Sequence, residues 1–201
     1  MIDQTLTLEK ARELIGPLID AELLNGLDSH SLGPDHKIVR ALKDVRDAES
    51  KFGYEPVSAE VEGAIHRWRM ALADTRILFY AAVASVEYSI KFESTLLFTV
   101  HEILANAIEH GSQYCERGNV SLEFLLGEKG LAAIVEDPGS GLDLVTFQPP
   151  PAGESQRRYR GLGIPRFQET EIPIIGYEKT DDCFRVIALY GKKSELALLP
   201  K

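Results

Sequence analysis

The chain has 201 residues, 44% of them hydrophobic, and a formal net charge of −9; it is long enough for one domain with an extension or two small ones, and apolar enough for a real core. The acidic balance excludes a general nucleic-acid binder, whose phosphate contacts need a basic face, and no run of about eighteen apolar residues is present to span a membrane. Two cysteines, Cys115 and Cys183, are too few for a disulfide framework and lack metal-ligand spacing, so both are read as reduced thiols.

The start, MIDQTLTLEKARELIG, carries acids where a signal peptide needs a basic start and an apolar run, so a soluble, cytoplasmic protein is expected. Residues 1 to about 56 read as helical. Leu8, Ala11, Leu14, Ile15, Leu18 and Ile19 have helical spacing, interrupted by Gly16-Pro17. Leu32-Gly33-Pro34-Asp35 reads as a loop entering a second helix, which carries Ile38, Val39, Leu42 and Val45 on one side and is closed by Gly53 and Pro56. Ser58 is the expected N-cap of a third helix with Val61, Ile65, Trp68 and Leu72 inward. Asp74 to Tyr88 continues the apolar pattern. His30 falls in a loop and His66 precedes Arg67-Trp68-Arg69, so neither has the acid-flanked helical setting of a phosphoacceptor, and these histidines with His36 read as ordinary ones.

The stretch Lys91 to Gly111 organises the rest. Leu96, Leu97, Val100, Ile103, Leu104, Ala107 and Ile108 recur at steps of three and four and predict one buried helical stripe. Glu102, Asn106 and Glu109 recur at the same steps on another face, which sets the carboxylate of Glu102 one turn from the amide of Asn106. Such a pair is either a polar rim or the start of a site. Gly111 is expected to stop the helix.

Strand periodicity follows. Val120, Leu122, Phe124 and Leu126 alternate along one strand, Gly127-Glu-Lys-Gly130 turns the chain, and Leu131 to Glu136 returns as the second arm of a hairpin with Asp137 at its end. Residues 142–160, with three consecutive prolines and then Arg157, Arg158 and Arg160, read as a long loop that serves either as a lid or as a solvated charge cluster. Gly161-Leu162-Gly163 opens a short helix whose backbone amides can cradle phosphate. Two strands, about Ile174 to Lys179 and Cys183 to Tyr190, complete the sheet around the turn at Thr180-Asp181-Asp182.

In combination, Glu102-xxx-Asn106-Ala107 with His110-Gly111, then Asp137-x-Gly139-x-Gly141, then Gly161-Leu162-Gly163 resembles the three nucleotide-binding boxes of the GHKL (histidine-kinase-like) ATPases. The branch it is most similar to contains the bacterial anti-sigma-factor serine/threonine kinases, in which the first box ends in His-Gly. The resemblance covers about residues 74–191 and implies an α+β fold, a two-layer sandwich with helices on one face of a mixed sheet. It also implies a division into a helical extension, 1–73, and an ATP-binding domain, 74–201. By the same resemblance Asn106 would hold Mg²⁺ and Glu102 would be the catalytic base. Asp137 would accept the adenine amine. His110, Gly139, Gly141, Arg158, Arg160, Gly161, Leu162 and Gly163 would complete the ATP site. The implied partner is a regulatory protein, an anti-anti-sigma-like protein or a sigma factor, with no nucleic acid and no membrane; a homodimer is left open.

Two positions depart from the family. Tyr159 stands where the second glycine box has its first glycine, and Cys183 falls at or beside the place of a threonine near the adenine; a thiol is the weaker hydrogen-bond partner. Two other readings therefore stand beside the kinase: a weakly catalytic or non-catalytic nucleotide-binding regulator, and the ATP-binding half of a histidine phosphorelay.

Overall fold

The computed structural model describes residues 6–18, 30–52, 58–72, 99–141 and 174–191. Helix α1, Leu8–Ile15, starts where the Thr7 hydroxyl accepts the Lys10 N–H at 3.2 Å and ends at Gly16, whose φ of 74° no helix continues. Strand β1, His30–Leu32, leads through Pro34 into helix α2, Lys37–Phe52. Helix α3, Ala59–Ala71, is capped by Ser58, whose side chain accepts the Val61 N–H at 3.2 Å as the sequence predicts. A fourth helix, α4, is described over residues 99–111, its last turn, Ala107–Gly111, being π-helical.

Strands β2, Val120–Leu126, and β3, Gly130–Asp137, form the expected hairpin across Gly127-Glu-Lys. Strands β4, Ile174–Lys179, and β5, Phe184–Gly191, form the second antiparallel pair. The sheet order is β1-β2-β3-β5-β4. The α+β class is as expected, but every ladder among the described residues is antiparallel where the resemblance implies a mixed sheet. His30 is also not in a loop: it begins β1 and is paired with Leu122. Three residues are too few to show an alternating pattern in sequence, and their pairing comes from β2, some ninety positions away.

Because side chains alternate along a strand, the sheet has two apolar faces. On the inner one, Phe124, Ala133, Val135 and Tyr190 pack against α2 and α4 through Ile38, Leu42, Leu104 and Ile108. On the outer one, Leu125, Ala132, Ile134, Ile187 and Leu189 receive Leu6, Ala11 and Ile15. Helix α1 thus covers the face opposite to α2 and α4, so the helices do not all lie on one side. Its apolar stripe is too short to say which face of a sheet it covers, and the hydrophobic residues at even and odd positions of β3 leave both faces needing cover.

Polar contacts tie α1 down at both ends. The N–H of Leu8, one of the donors a helix start leaves unpaired, reaches Glu178 Oε1 at 3.0 Å; beyond the C-terminus, the carbonyls of Ile15 and Pro17 accept the N–H groups of Lys129 and Glu128 at 2.9 and 3.0 Å. Arg185 links Glu136 and Glu178 across β3, β5 and β4. The division expected at 73/74 falls outside the described residues; what is seen is that β1 belongs to the sheet and α2 to the core. Among the described residues no helix is long and apolar enough to cross a membrane.

Ile15 is wholly buried in the outer-face cluster, so Ile15→Ala is expected to cost about 2–5 kcal/mol, whereas loss of the cap in Ser58→Ala costs about 1 kcal/mol. Denaturant unfolding of the two variants measures both.

Candidate functional site

Along α4, Glu102 is half-buried and Asn106 and His110 are exposed, while Ile103, Leu104, Ala107 and Ile108 face the core. The helix is pinned to the sheet near its described start, where Thr99 hydrogen-bonds the hydroxyl of Tyr190; burial holds that phenol well above its ordinary range. After Asn106 the spiral widens. The N–H of Ser112 reaches the carbonyl of Ala107, five residues back, at 2.8 Å, and that of Tyr114 reaches Ile108 at 2.7 Å. Turns of this kind are single-turn features concentrated at functional sites.

The widened turn delivers Gly111 onto the end of β3. A Cβ on Gly111 would lie 2.1 Å from the carboxyl carbon of Asp137, and one on Gly139 would lie 2.7 Å from both Asp137 Oδ1 and the Gly111 Cα. The carboxylate is thus clasped between two backbones that must lack side chains. Its Oδ1 accepts the Gly139 N–H at 2.8 Å. Burial raises the Asp137 pKa and that hydrogen bond partly opposes the rise. Gly111 does end the helix, but not by a left-handed φ; positive φ comes two residues later, at Gln113, Tyr114 and Cys115. Gly111 is therefore both the expected stop and the site of a close approach that no larger residue permits.

Phe184 pairs with Asp137 in the β3–β5 ladder, and Gly141, at φ 80°, sits over its ring. Cys183, next to Phe184, therefore lies at the same sheet end as Asp137. Its N–H donates to Thr180 Oγ1 at 3.1 Å and its thiol is 3.2 Å from that hydroxyl. Of the residues expected at the site, Asp137 and Gly139 meet the end of α4 at Gly111, with His110 adjacent to it in the chain. Arg158, Arg160, Gly161, Leu162 and Gly163, with Tyr159, lie outside the described residues.

Glu109 has a partner that the face pattern does not name: its Oε2 lies 2.7 Å from Arg46 Nε, while Arg46 Nη1 holds Glu49 Oε2 at 3.0 Å. Burial alone would lower the pKa of Arg46, but Glu109 and Glu49 outweigh it and the net shift is upward, so the guanidinium stays charged. Only half of this was available in sequence, since Arg46 and Glu49 are three apart on one helix and Glu109 is sixty-three residues away.

A family model described as a histidine kinase-like ATPase domain matches residues 64–168, just over half the chain. The chain belongs to the histidine kinase-like ATPase family. No curated protein matches the sequence. Membership implies ATP binding, usually with Mg²⁺, and the described residues of this ATPase domain fit that ligand. Asn106 offers an exposed amide oxygen, suited to a hard ion that takes one or two protein oxygens and otherwise water and phosphate. No three His, Cys, Asp or Glu side chains converge on a metal among the described residues, and an ion held mainly by phosphate requires none. Asp137 offers a fixed, buried acceptor at a strand end.

Gly111→Ala should force Asp137 out of its seat, at a stability cost of about 1–3 kcal/mol, read by thermal unfolding. The raised pKa of Asp137 makes a second prediction. An acid whose pKa is higher folded than unfolded contributes stability below its ordinary value of 3.8 and loses it as pH rises through the folded pKa. Asp137→Asn should therefore be more stable than the natural protein at neutral pH, with the advantage vanishing in acid; unfolding midpoints as a function of pH measure it.

Proposed function

We propose that this ATPase-family protein is a regulatory kinase resembling the anti-sigma-factor serine/threonine kinases, transferring the γ-phosphoryl of ATP to a serine or threonine of a partner regulatory protein. The partner would be a small anti-anti-sigma-like protein, and a sigma factor would be held by the same chain. The observation that carries this reading is the junction at Gly111, where the helix bearing Glu102 and Asn106 ends against the buried carboxylate of Asp137. Support for the finer assignment comes from the His110-Gly111 ending of the first box, which resembles that branch.

In this reading Asp137 accepts the exocyclic amine of adenine through carboxylate lone pairs left beside its bond to Gly139. Asn106, four residues after Glu102, gives its carbonyl oxygen to Mg²⁺, which supplies charge neutralisation at the phosphates when bound. Glu102 takes the proton of the incoming hydroxyl as general base. Arg158 and Arg160 act from the lid on the phosphates, and the backbone at Gly161-Leu162-Gly163 cradles them. His110 lines the nucleotide beside Asn106.

A second reading, a nucleotide-binding regulator without phosphotransfer, is favoured by Cys183, a weak hydrogen-bond partner where the family places a threonine. Incubation with labelled ATP and candidate partner proteins separates the two. The kinase reading expects phosphoserine or phosphothreonine on a partner, and Glu102→Gln should keep ATP binding while lowering transfer by about 10²–10⁴-fold. Bound ATP with no phosphorylated partner favours the regulator. Asn106→Ala should abolish Mg²⁺-dependent ATP binding in either case, and unchanged binding in a titration with and without Mg²⁺ would remove Asn106 from the site.

A further inference from the structure

We infer that Arg46, on a helix that precedes the family-matched segment, is a positioning residue for the nucleotide site: it sets the π-helical turn between Asn106 and Gly111 by holding Glu109. The inference rests on the ATP-site reading above and extends it to a part of the chain that no nucleotide-binding box includes.

Glu109 sits inside the turn, between Asn106 on one side and Gly111 on the other. Its side chain is 13% exposed, that of Glu49 is 5% and that of Arg46 is 20%, so the three charges meet largely out of water. Charge-assisted contacts in that setting are directional and costly to break. A π turn contains one residue more than an α turn would need. Relaxing it to α geometry would rotate each following residue by about 100° around the axis, carrying Gly111 off Asp137 and changing the angle between Asp137 and Asn106. Glu109 is the ionised side chain of that turn tied to another element, and Arg46 is what ties it. The widened turn is thus anchored from outside the helix that contains it.

The test uses the full chain and compares Arg46→Met, Glu109→Gln and Arg46→Lys with Val45→Ala. Val45 is buried on the same helix and reports loss of packing alone. Two readouts are taken: MgATP affinity by titration, and amide hydrogen exchange at Ser112 and Tyr114, whose N–H groups close the widened turn. The expected result is faster exchange at those two amides in Arg46→Met and Glu109→Gln and an ATP affinity about tenfold weaker, with Arg46→Lys between them and the natural protein, and neither change in Val45→Ala at comparable thermal stability. Glu109→Gln keeps the shape of the side chain and carries the test if Arg46→Met does not fold. Equal changes in Val45→Ala, or unchanged exchange and affinity in Glu109→Gln, would overturn the inference. A natural protein that binds no ATP, with the two amides still responding to Arg46, would instead refute the ATP-site reading and leave the anchoring of the turn established.

Discussion

The candidate site turns on one contact between a backbone and a carboxylate: Gly111 against Asp137, with Gly139 closing the other side. No side chain fits at either glycine, so the end of the helix and the end of the strand have one mutual placement. That placement fixes the distance over which any ligand can touch both. It also explains how a carboxylate comes to be desolvated at a sheet end, since two backbones occupy the space in which water would otherwise solvate it.

Much of the surrounding structure maintains that contact. Three consecutive non-glycine residues, Gln113 to Cys115, adopt left-handed backbone, at roughly 1–2 kcal/mol each. Ser112 offsets part of this strain by donating to the Ile108 carbonyl at 3.1 Å and accepting the Cys115 N–H at 3.0 Å. The Cys115 thiol reaches the Leu32 carbonyl at 3.0 Å, which fastens the loop to β1. Thr99 with Tyr190 secures the other end of the described helix. The described helix is therefore held at Thr99 by the sheet, along its side by α2 and beyond its end by β1.

Local signals carried the elements that local chemistry decides. Ser58 before an apolar-periodic run is a cap because its hydroxyl meets an amide three residues on, and the β2–β3 hairpin follows from alternation around Gly127-Glu-Lys-Gly130. The pairing of Asp137 with the Glu102 and Asn106 helix was legible only through motif order, because nothing local states that a turn after one strand will meet a helix end. What remained hidden depends on partners far apart in the chain. Strand β1 exists because β2 offers it an edge. Helix α1 covers the outer face because β3 and β5 are apolar on both sides, and Glu109 is paired because Arg46 is there to receive it. Gly111 ends the helix as its position in the sequence suggests, while its second role, the close approach, depends on the position of Asp137.

The seat of α1 bears on what constitutes a self-sufficient piece of this protein. The family match starts at residue 64, yet Leu6, Ala11 and Ile15 shield the apolar side of β3 and β5. A fragment trimmed to the matched residues would lack strands β4 and β5 as well as this cover, and would leave β3 with an unpaired, water-facing hydrophobic edge of the kind that sticks to other copies. The unit that covers its own sheet is consequently larger than the segment the family match spans.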